Sequence, residues 1–203
     1  MRTSDITAPS PSPTRSSLER LLPSARATAC RRVAALALAA AFAVGGPVGA
    51  ADHLTLELKG ADGAVVGHAT LTALPDGGVH LDAQLDGIAP GTHGFHIHET
   101  GSCDASTGFK SAGGHLAGDR KHGFLVEGGP HPGDMPNIHV PASGSLRVEV
   151  VNTRVALGTD GDGALLDADG AALLIHAGAD DYTSQSAGDA GERIACAEIR
   201  TES

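Results

Sequence analysis

The sequence predicts an all-β fold, most simply a sandwich of about eight antiparallel strands. Apolar and polar residues alternate along 54–59, 79–86 and 146–150, which is the period of strands with one wet face. Asp-Gly turn signals at 76–78 and 162–163 punctuate the chain, and no stretch after residue 50 keeps a helical period for three turns. The composition agrees, because 28 Gly, 11 Pro and only 2% aromatic residues favour small apolar side chains and many turns.

The charge of the 203-residue chain narrows the classes of function. A formal net charge of -10 argues against a nucleic-acid partner, which calls for a clustered basic face. The chain also holds 11 His and 3 Cys, a surplus of metal-binding side chains. Metal binding is therefore the first chemistry to consider.

The N-terminal 50 residues read as a secretory extension separate from the fold. The apolar run 33–44 follows Arg31 and Arg32, and small residues precede a cleavage point predicted near Ala50. Twelve apolar residues are too few to span a bilayer as a helix. We expect an extension and signal peptide over 1–50, a single domain over 51–203, a periplasmic location and no lipid anchor; export through the Sec or the twin-arginine route stays open.

Removal of that extension makes the remaining chain strongly acidic and leaves it two cysteines. Residues 51–203 carry 8 basic and 22 acidic side chains, a net charge of about -14 by this count. Cys103 and Cys196 would then face an oxidising compartment, so we expect them to form one disulfide. Closure of a loop of this length contributes about 4 kcal/mol in the chain-entropy model.

The strand pattern is interrupted between residues 99 and 140, where alternation disappears over 42 residues that include nine Gly and three Pro. So long an irregular stretch in a compact domain usually has a function or a cross-link that holds it. A second irregular segment covers 177–192. These two loops are the places where a metal site is expected.

A metal-ligand pattern begins at the end of the apparent strand that leads into the long loop. His96 and His98 are two residues apart, so both point to one side of a strand while Phe95 and Ile97 face the core. The long loop adds three further imidazoles and one carboxylate: His115, His122, His131 and Asp134. Three imidazoles and a carboxylate form a closed tetrahedral set that suits structural zinc.

With these motifs on the page, the chain resembles copper,zinc superoxide dismutases of the bacterial secreted type. The resemblance covers about 51–202 and is carried by short motifs spread along the chain: Gly94-Phe95-His96-Ile97-His98-Glu99, Ser111-Ala112-Gly113-Gly114-His115, Arg120-Lys121-His122-Gly123, His131-Pro132-Gly133-Asp134, Leu174-Ile175-His176 and Gly191-Glu192-Arg193-Ile194-Ala195-Cys196. It implies an eight-stranded antiparallel Greek-key sandwich or barrel with a long metal-binding loop and a second active-site loop. The fold is known for this enzyme, so the implication is not independent of it.

The resemblance also implies a ligand set and an activity. One copper ion per subunit would be held by His96, His98, His115 and His176, and one zinc ion by His115, His122, His131 and Asp134. His115 would bridge the two metals, and Asp180 would accept hydrogen bonds from His96 and His122. The implied reaction is dismutation of superoxide to oxygen and hydrogen peroxide, in which His115 acts as a proton donor and Arg193 attracts the anion.

Several alternatives stay open. A secreted zinc- or copper-binding sandwich without turnover is the competing function, and the protein is expected to be a monomer or a homodimer. The segment 177–192 contains no lysine, whereas animal members of the family use basic residues there to steer superoxide. Lys110 and Lys121 are the candidate steering cations, with ordinary surface lysines as the alternative, and His93 is interpreted as a structural histidine.

These expectations about processing lead to a first prediction. The exported protein should begin near Ala51, lack Cys30 and contain no free thiol, because its two remaining cysteines are paired. Intact mass and thiol labelling of the native secreted protein measure both. Two free thiols in folded, exported protein would contradict the cysteine pairing, and a retained Cys30 would contradict the cleavage.

Overall fold

The computed structural model describes residues 53–201, which form nine β-strands and two short 3-10 turns. The turns cover Ala105–Thr107 and Lys110–Ala112. The strands are β1 His53–Gly60, β2 Val65–Ala73, β3 Val79–Leu85, β4 Gly91–His93, β5 Phe95–His98, β6 Ile138–Val140, β7 Leu146–Asn152, β8 Ala171–His176 and β9 Arg193–Ile199. The predicted all-β class is confirmed.

Seven of the strands form one curled antiparallel sheet in the order β5-β8-β9-β1-β2-β3-β7, and β4 pairs with β6. The first three strands are joined by hairpins, whereas β9 returns to lie beside β1 and β7 lies beside β3. Neighbours that are distant in sequence are expected of Greek-key connections. The order leaves β5 and β8 at one edge, next to the long loop.

The alternating strands bury the faces that their patterns predict. Val79, Leu81, Ala83 and Leu85 of β3 are buried, while the intervening residues are partly or fully exposed. In β7 the corresponding Leu146, Val148 and Val150 are only half-buried, because β7 is the last strand of the sheet. The interior is filled mainly by Leu, Ile, Val and Ala, with Phe95 as its buried aromatic ring.

The strand β8 is buried on both faces. Ala171, Leu173 and Ile175 join the main core, and Ala172 and Leu174 pack on the opposite face against Phe109 and Ala112 of the long loop. A strand covered on both sides has no wet face, so its sequence is a continuous apolar run. The long loop therefore acts as a second layer over the outer face of the sheet.

The count of nine strands, against about eight expected, results from a change of sheet within one extended segment. β4 pairs with β6, β5 pairs with β8, and Gly94 alone separates them. A Cβ atom on Gly94 would lie 2.9 Å from the Cβ of Ala190, so the close approach of the second loop requires glycine. The predicted irregular stretch is also shorter than expected, because its last three residues form β6.

The predicted signal peptide and the 1–50 extension lie outside the described residues. Within residues 53–201 no helix is long and apolar enough to cross a membrane.

Candidate metal centre

The centre is built on the outer face of the edge strands β5 and β8. His96 pairs with Leu174 and His98 with Ala172, so both histidines share the face that the long loop covers, and His176 ends β8 on that face. Phe95 and Ile97 point into the main core, as the alternation predicts. Two strands thus supply three imidazoles from a rigid surface.

The long loop returns twice to β5 and brings the other ligand candidates with it. Ile97 donates to the carbonyl of Gly133 at 2.8 Å, and its own carbonyl accepts from Leu116 at 2.9 Å. A Cβ atom on Gly133 would lie 2.2 Å from the carbonyl oxygen of Ile97, so this contact requires glycine. The main chain thereby places His115 and Asp134 beside the strand histidines.

The seven predicted ligands lie together in two groups. Within each group the four candidate ligand atoms lie within 4.8 Å of one another, and every residue is buried. The groups are His96, His98, His115 and His176, and His115, His122, His131 and Asp134. His115 belongs to both, which is the arrangement that the resemblance implies; the ligand roles themselves stay predictions.

Each imidazole is held through one ring nitrogen, so the other nitrogen faces its group. His98 Nδ1 lies 3.1 Å from the carbonyl of Gly113, and His176 Nδ1 lies 3.3 Å from that of Gly191. Their Nε2 atoms face each other at 3.3 Å. Two carbonyl acceptors therefore select the tautomers in which both Nε2 atoms are free to bind a metal.

Three inward nitrogen atoms are buried without any hydrogen-bond partner: His96 Nδ1, His115 Nε2 and His131 Nδ1. Buried polar atoms in proteins are normally paired, so orphaned atoms that face a shared cluster need another partner. Imidazole nitrogen and a carboxylate are suitable donors for copper and zinc. The donor sets therefore fit metal ions in both groups.

Asp180, from the second loop, links the two groups from behind. Its buried carboxylate accepts from His96 Nε2 at 2.8 Å through one oxygen and from His122 Nε2 at 3.0 Å through the other. These are the two contacts that the resemblance implies for this residue. A single side chain thus fixes one ring in each group.

Arg193 and the disulfide complete the covering of this face. The guanidinium donates to the carbonyls of Phe109 and Gly113, both at 2.6 Å. Cys103 and Cys196 form a disulfide, which confirms the expected pairing. The bond joins the long loop to β9, three residues after Arg193, so the loop that accepts from Arg193 is covalently tied to the strand that carries it.

Comparison with known proteins agrees with this geometry. Residues 65–199 match the family model for copper/zinc superoxide dismutase. Superoxide dismutase (Cu-Zn) 2 of Aquifex aeolicus is 45% identical over 146 residues, which cover 71% of this chain and 84% of the relative. Superoxide dismutase (Cu-Zn) of Caulobacter vibrioides is 42% identical over 149 residues, which cover 72% of this chain and 84% of the relative.

The chain belongs to the copper/zinc superoxide dismutase family.

Solved structures similar to this superoxide dismutase family member include a SOD-like protein from Bacillus subtilis, with a TM-score of 0.68 and 34% identity over 71% of this chain and 97% of that one. The Cu/Zn superoxide dismutase from Brucella abortus gives a TM-score of 0.56 and 28% identity over 72% of this chain and 99% of that one. The predicted resemblance is confirmed.

Burial sets the protonation of the groups in this superoxide dismutase family member. It lowers the pKa of His115 to about 4 and that of His176 to about 3, and it lowers the pKa of His98 well below the usual range. Burial alone would raise the pKa of Asp134, but hydrogen bonds from His115 and His131 outweigh it and hold that pKa well below the carboxyl range. Near neutral pH the imidazoles are neutral and the carboxylate is charged, which are the forms that bind metals.

Sequence reasoning missed the side chains that join the two loops. Asn137 accepts from the main-chain N–H of Asp180 at 2.9 Å and donates to its carbonyl at 2.8 Å. The hydroxyl of Tyr182 accepts from the N–H of Asn137 at 2.7 Å, and Gln185 contacts the main chain of His122. No spacing or hydropathy signal marks these residues, because their partners are other loop atoms far along the chain.

The lowered pKa values predict an acid-labile metal-free protein. In the unfolded chain His98, His115 and His176 titrate near their ordinary pKa, whereas in the folded chain they resist protonation. The unfolded state therefore binds more protons as the pH falls below about 6.5, and stability is lost by up to about 4 kcal/mol per pH unit for three such groups.

Urea unfolding of the metal-free, disulfide-intact protein between pH 7 and pH 4.5 measures this loss. His68→Gln, a change at an exposed histidine of β2, should leave the slope unaltered. A midpoint that does not move with pH would contradict the assignment of buried neutral imidazoles.

Proposed function

We propose that this chain catalyses the dismutation of superoxide to oxygen and hydrogen peroxide. Copper would be held by His96, His98, His115 and His176, and zinc by His115, His122, His131 and Asp134, with one ion of each per chain. The observation that carries the proposal is the place of His115, which faces Asp134 at 3.0 Å through Nδ1 while its buried Nε2 is unpartnered. A shared imidazole of this kind can join a redox metal to a structural one.

Copper would supply the one-electron redox chemistry, because zinc has a single stable oxidation state. The chain binds and orients the substrate through Arg193, whose half-buried guanidinium is fixed by two carbonyls and keeps its charge for the anion. His115 holds a proton at Nε2 and passes it to the reduced substrate, while its Nδ1 stays anchored in the second group. The second proton comes from solvent.

The proposed location is the periplasm, where the enzyme would remove superoxide generated outside the cytoplasm. The predicted signal and the disulfide between Cys103 and Cys196 support an oxidising compartment. Superoxide is an anion and crosses membranes poorly, so an enzyme in that compartment would act on superoxide formed on the same side.

Metal analysis combined with a superoxide-decay assay tests the function. We expect one copper and one zinc per chain and rapid superoxide decay by the purified mature protein. The complete four-histidine group together with Arg193 favours turnover over simple metal storage. Full occupancy by both metals without superoxide decay would favour the competing metal-binding protein instead.

Two substitutions separate the roles of the two groups. Asp134→Ala removes the carboxylate of the zinc group, so zinc content and melting temperature should fall while part of the copper-dependent activity remains. His176→Ala should alter the copper(II) electron paramagnetic resonance spectrum and abolish most turnover. A wild-type spectrum in His176→Ala, or full zinc content in Asp134→Ala, would remove that residue from its proposed ligand set; His68→Ala is the control.

Substrate steering is the proposed role of Lys110. This exposed lysine lines a surface cavity of about 640 Å³ together with Glu192 and Arg193. A net charge of about -14 over 51–203 repels superoxide at long range, so capture needs a local positive field. Lys110 and Arg193 would supply that field against the opposing charge of Glu192.

The steering role predicts a dependence of activity on salt. Activity should fall with ionic strength because the Debye length is roughly 10 Å at 0.1 M salt. Arg193→Ala should lower the rate about tenfold or more, and Lys110→Glu should lower the rate and flatten its salt dependence. Stopped-flow superoxide decay over a series of salt concentrations measures both. An unchanged rate and slope in Lys110→Glu would make it an ordinary surface lysine.

A further inference from the structure

One carboxamide side chain from the second loop holds both hydrogen-bonding groups of a single peptide in the long loop. Gln185 Oε1 accepts from the main-chain N–H of His122 at 3.0 Å, and Gln185 Nε2 donates to the carbonyl of His122 at 2.8 Å. The same Nε2 also donates to the carbonyl of Thr183 at 3.0 Å. The contact joins residues 63 positions apart.

The residue that receives this contact needs an accurately placed ring. The imidazole of His122 is fully buried, its Nδ1 lies 3.0 Å from Asp134 Oδ1 and its Nε2 lies 3.0 Å from Asp180 Oδ1. Both ring nitrogens are therefore directed at fixed partners on opposite sides. A ring in that position follows its own main chain, because a shift of the Cα atom moves both nitrogens together.

The surrounding main chain leaves little other support for this peptide. On one side Lys121 donates to the carbonyl of Gly128 at 3.2 Å, and on the other Gly123 donates to Asp134 Oδ2 at 2.9 Å. Gly123 packs so tightly against the second loop that a Cβ atom would lie 2.0 Å from the carbonyl oxygen of Tyr182. The peptide of His122 itself is held by Gln185.

We propose that Gln185 is a positioning residue that fixes the main chain of His122 and thereby aims its imidazole into the proposed zinc group. The inference rests on the proposed function in one respect, since it requires that this group binds zinc. A primary carboxamide is suited to the task because it donates and accepts at once. A carboxylate can accept the N–H of His122 but would turn an oxygen toward the carbonyls of His122 and Thr183.

Loss of this contact should weaken zinc binding more than it weakens the fold. Residues that orient metal ligands through hydrogen bonds typically contribute 10- to 100-fold to metal affinity. Gln185 is itself exposed, so its removal takes no side chain out of the core. We expect Gln185→Met and Gln185→Glu to bind Zn²⁺ about 10-fold more weakly than the wild-type chain.

The experiment uses the full mature chain with its disulfide intact and three measurements. Competition with a chelating indicator gives the affinity for Zn²⁺, the visible spectrum of the Co²⁺-loaded protein reports the ligand geometry, and thermal unfolding of the metal-free protein reports the fold. Gln84→Glu is the matched control, because it makes the same change at an exposed residue of β3, away from both groups. We expect the Gln185 variants alone to show a weaker and altered Co²⁺ spectrum.

Unchanged Zn²⁺ affinity and an unchanged Co²⁺ spectrum in both variants would overturn the inference. So would a drop in melting temperature of the metal-free protein that accounts for the whole loss of affinity, since that result describes a structural role only. A wild-type chain that takes up no Zn²⁺ in the group of His115, His122, His131 and Asp134 would overturn the proposed function, and this outcome is read before any Gln185 variant is made.

Discussion

The carboxylate of Asp180 is the contact on which the rest of the centre depends. Its two oxygens accept from His96 and His122, which come from a rigid strand and from an irregular loop respectively. Because both rings are buried and each has its other nitrogen directed inward, the carboxylate fixes the geometry of two groups at once. The second loop thus contributes the element that aligns strand and loop ligands, although it supplies no proposed ligand of its own.

That arrangement requires the two loops to be held in register, and the chain achieves this mainly with polar contacts. Asn137 holds the main chain of Asp180, Gln185 holds that of His122, and Tyr182 packs closely on Gly123. Irregular loops lack the hydrogen-bond ladder of a sheet, so side chains must satisfy their main-chain groups. The contacts on either side of the Asp180 to His122 hydrogen bond explain how segments without strands or helices keep a metal-ligating geometry.

The other half of the centre depends on apolar cover and a covalent bond. Phe109 and Ala112 pack on the outer face of β8, and the disulfide ties this part of the long loop to β9. Arg193 then donates into the same loop segment. The layer that buries the strand histidines is therefore also the one that orients the proposed substrate-binding cation, which links the stability of the loop to function.

The sequence by itself determined the class of fold, the family and the identity of the seven candidate ligands. A period of two reports strands directly, since alternate residues face opposite sides, and the His and Asp motifs keep a fixed order along the chain. Only the tertiary structure decided the change of sheet at Gly94, the double burial of β8 and the contacts of Asn137 and Gln185. These features leave no periodic trace, because each arises where segments from distant parts of the chain meet, and a side chain that bonds to a main-chain atom imposes no pattern on its partner's sequence.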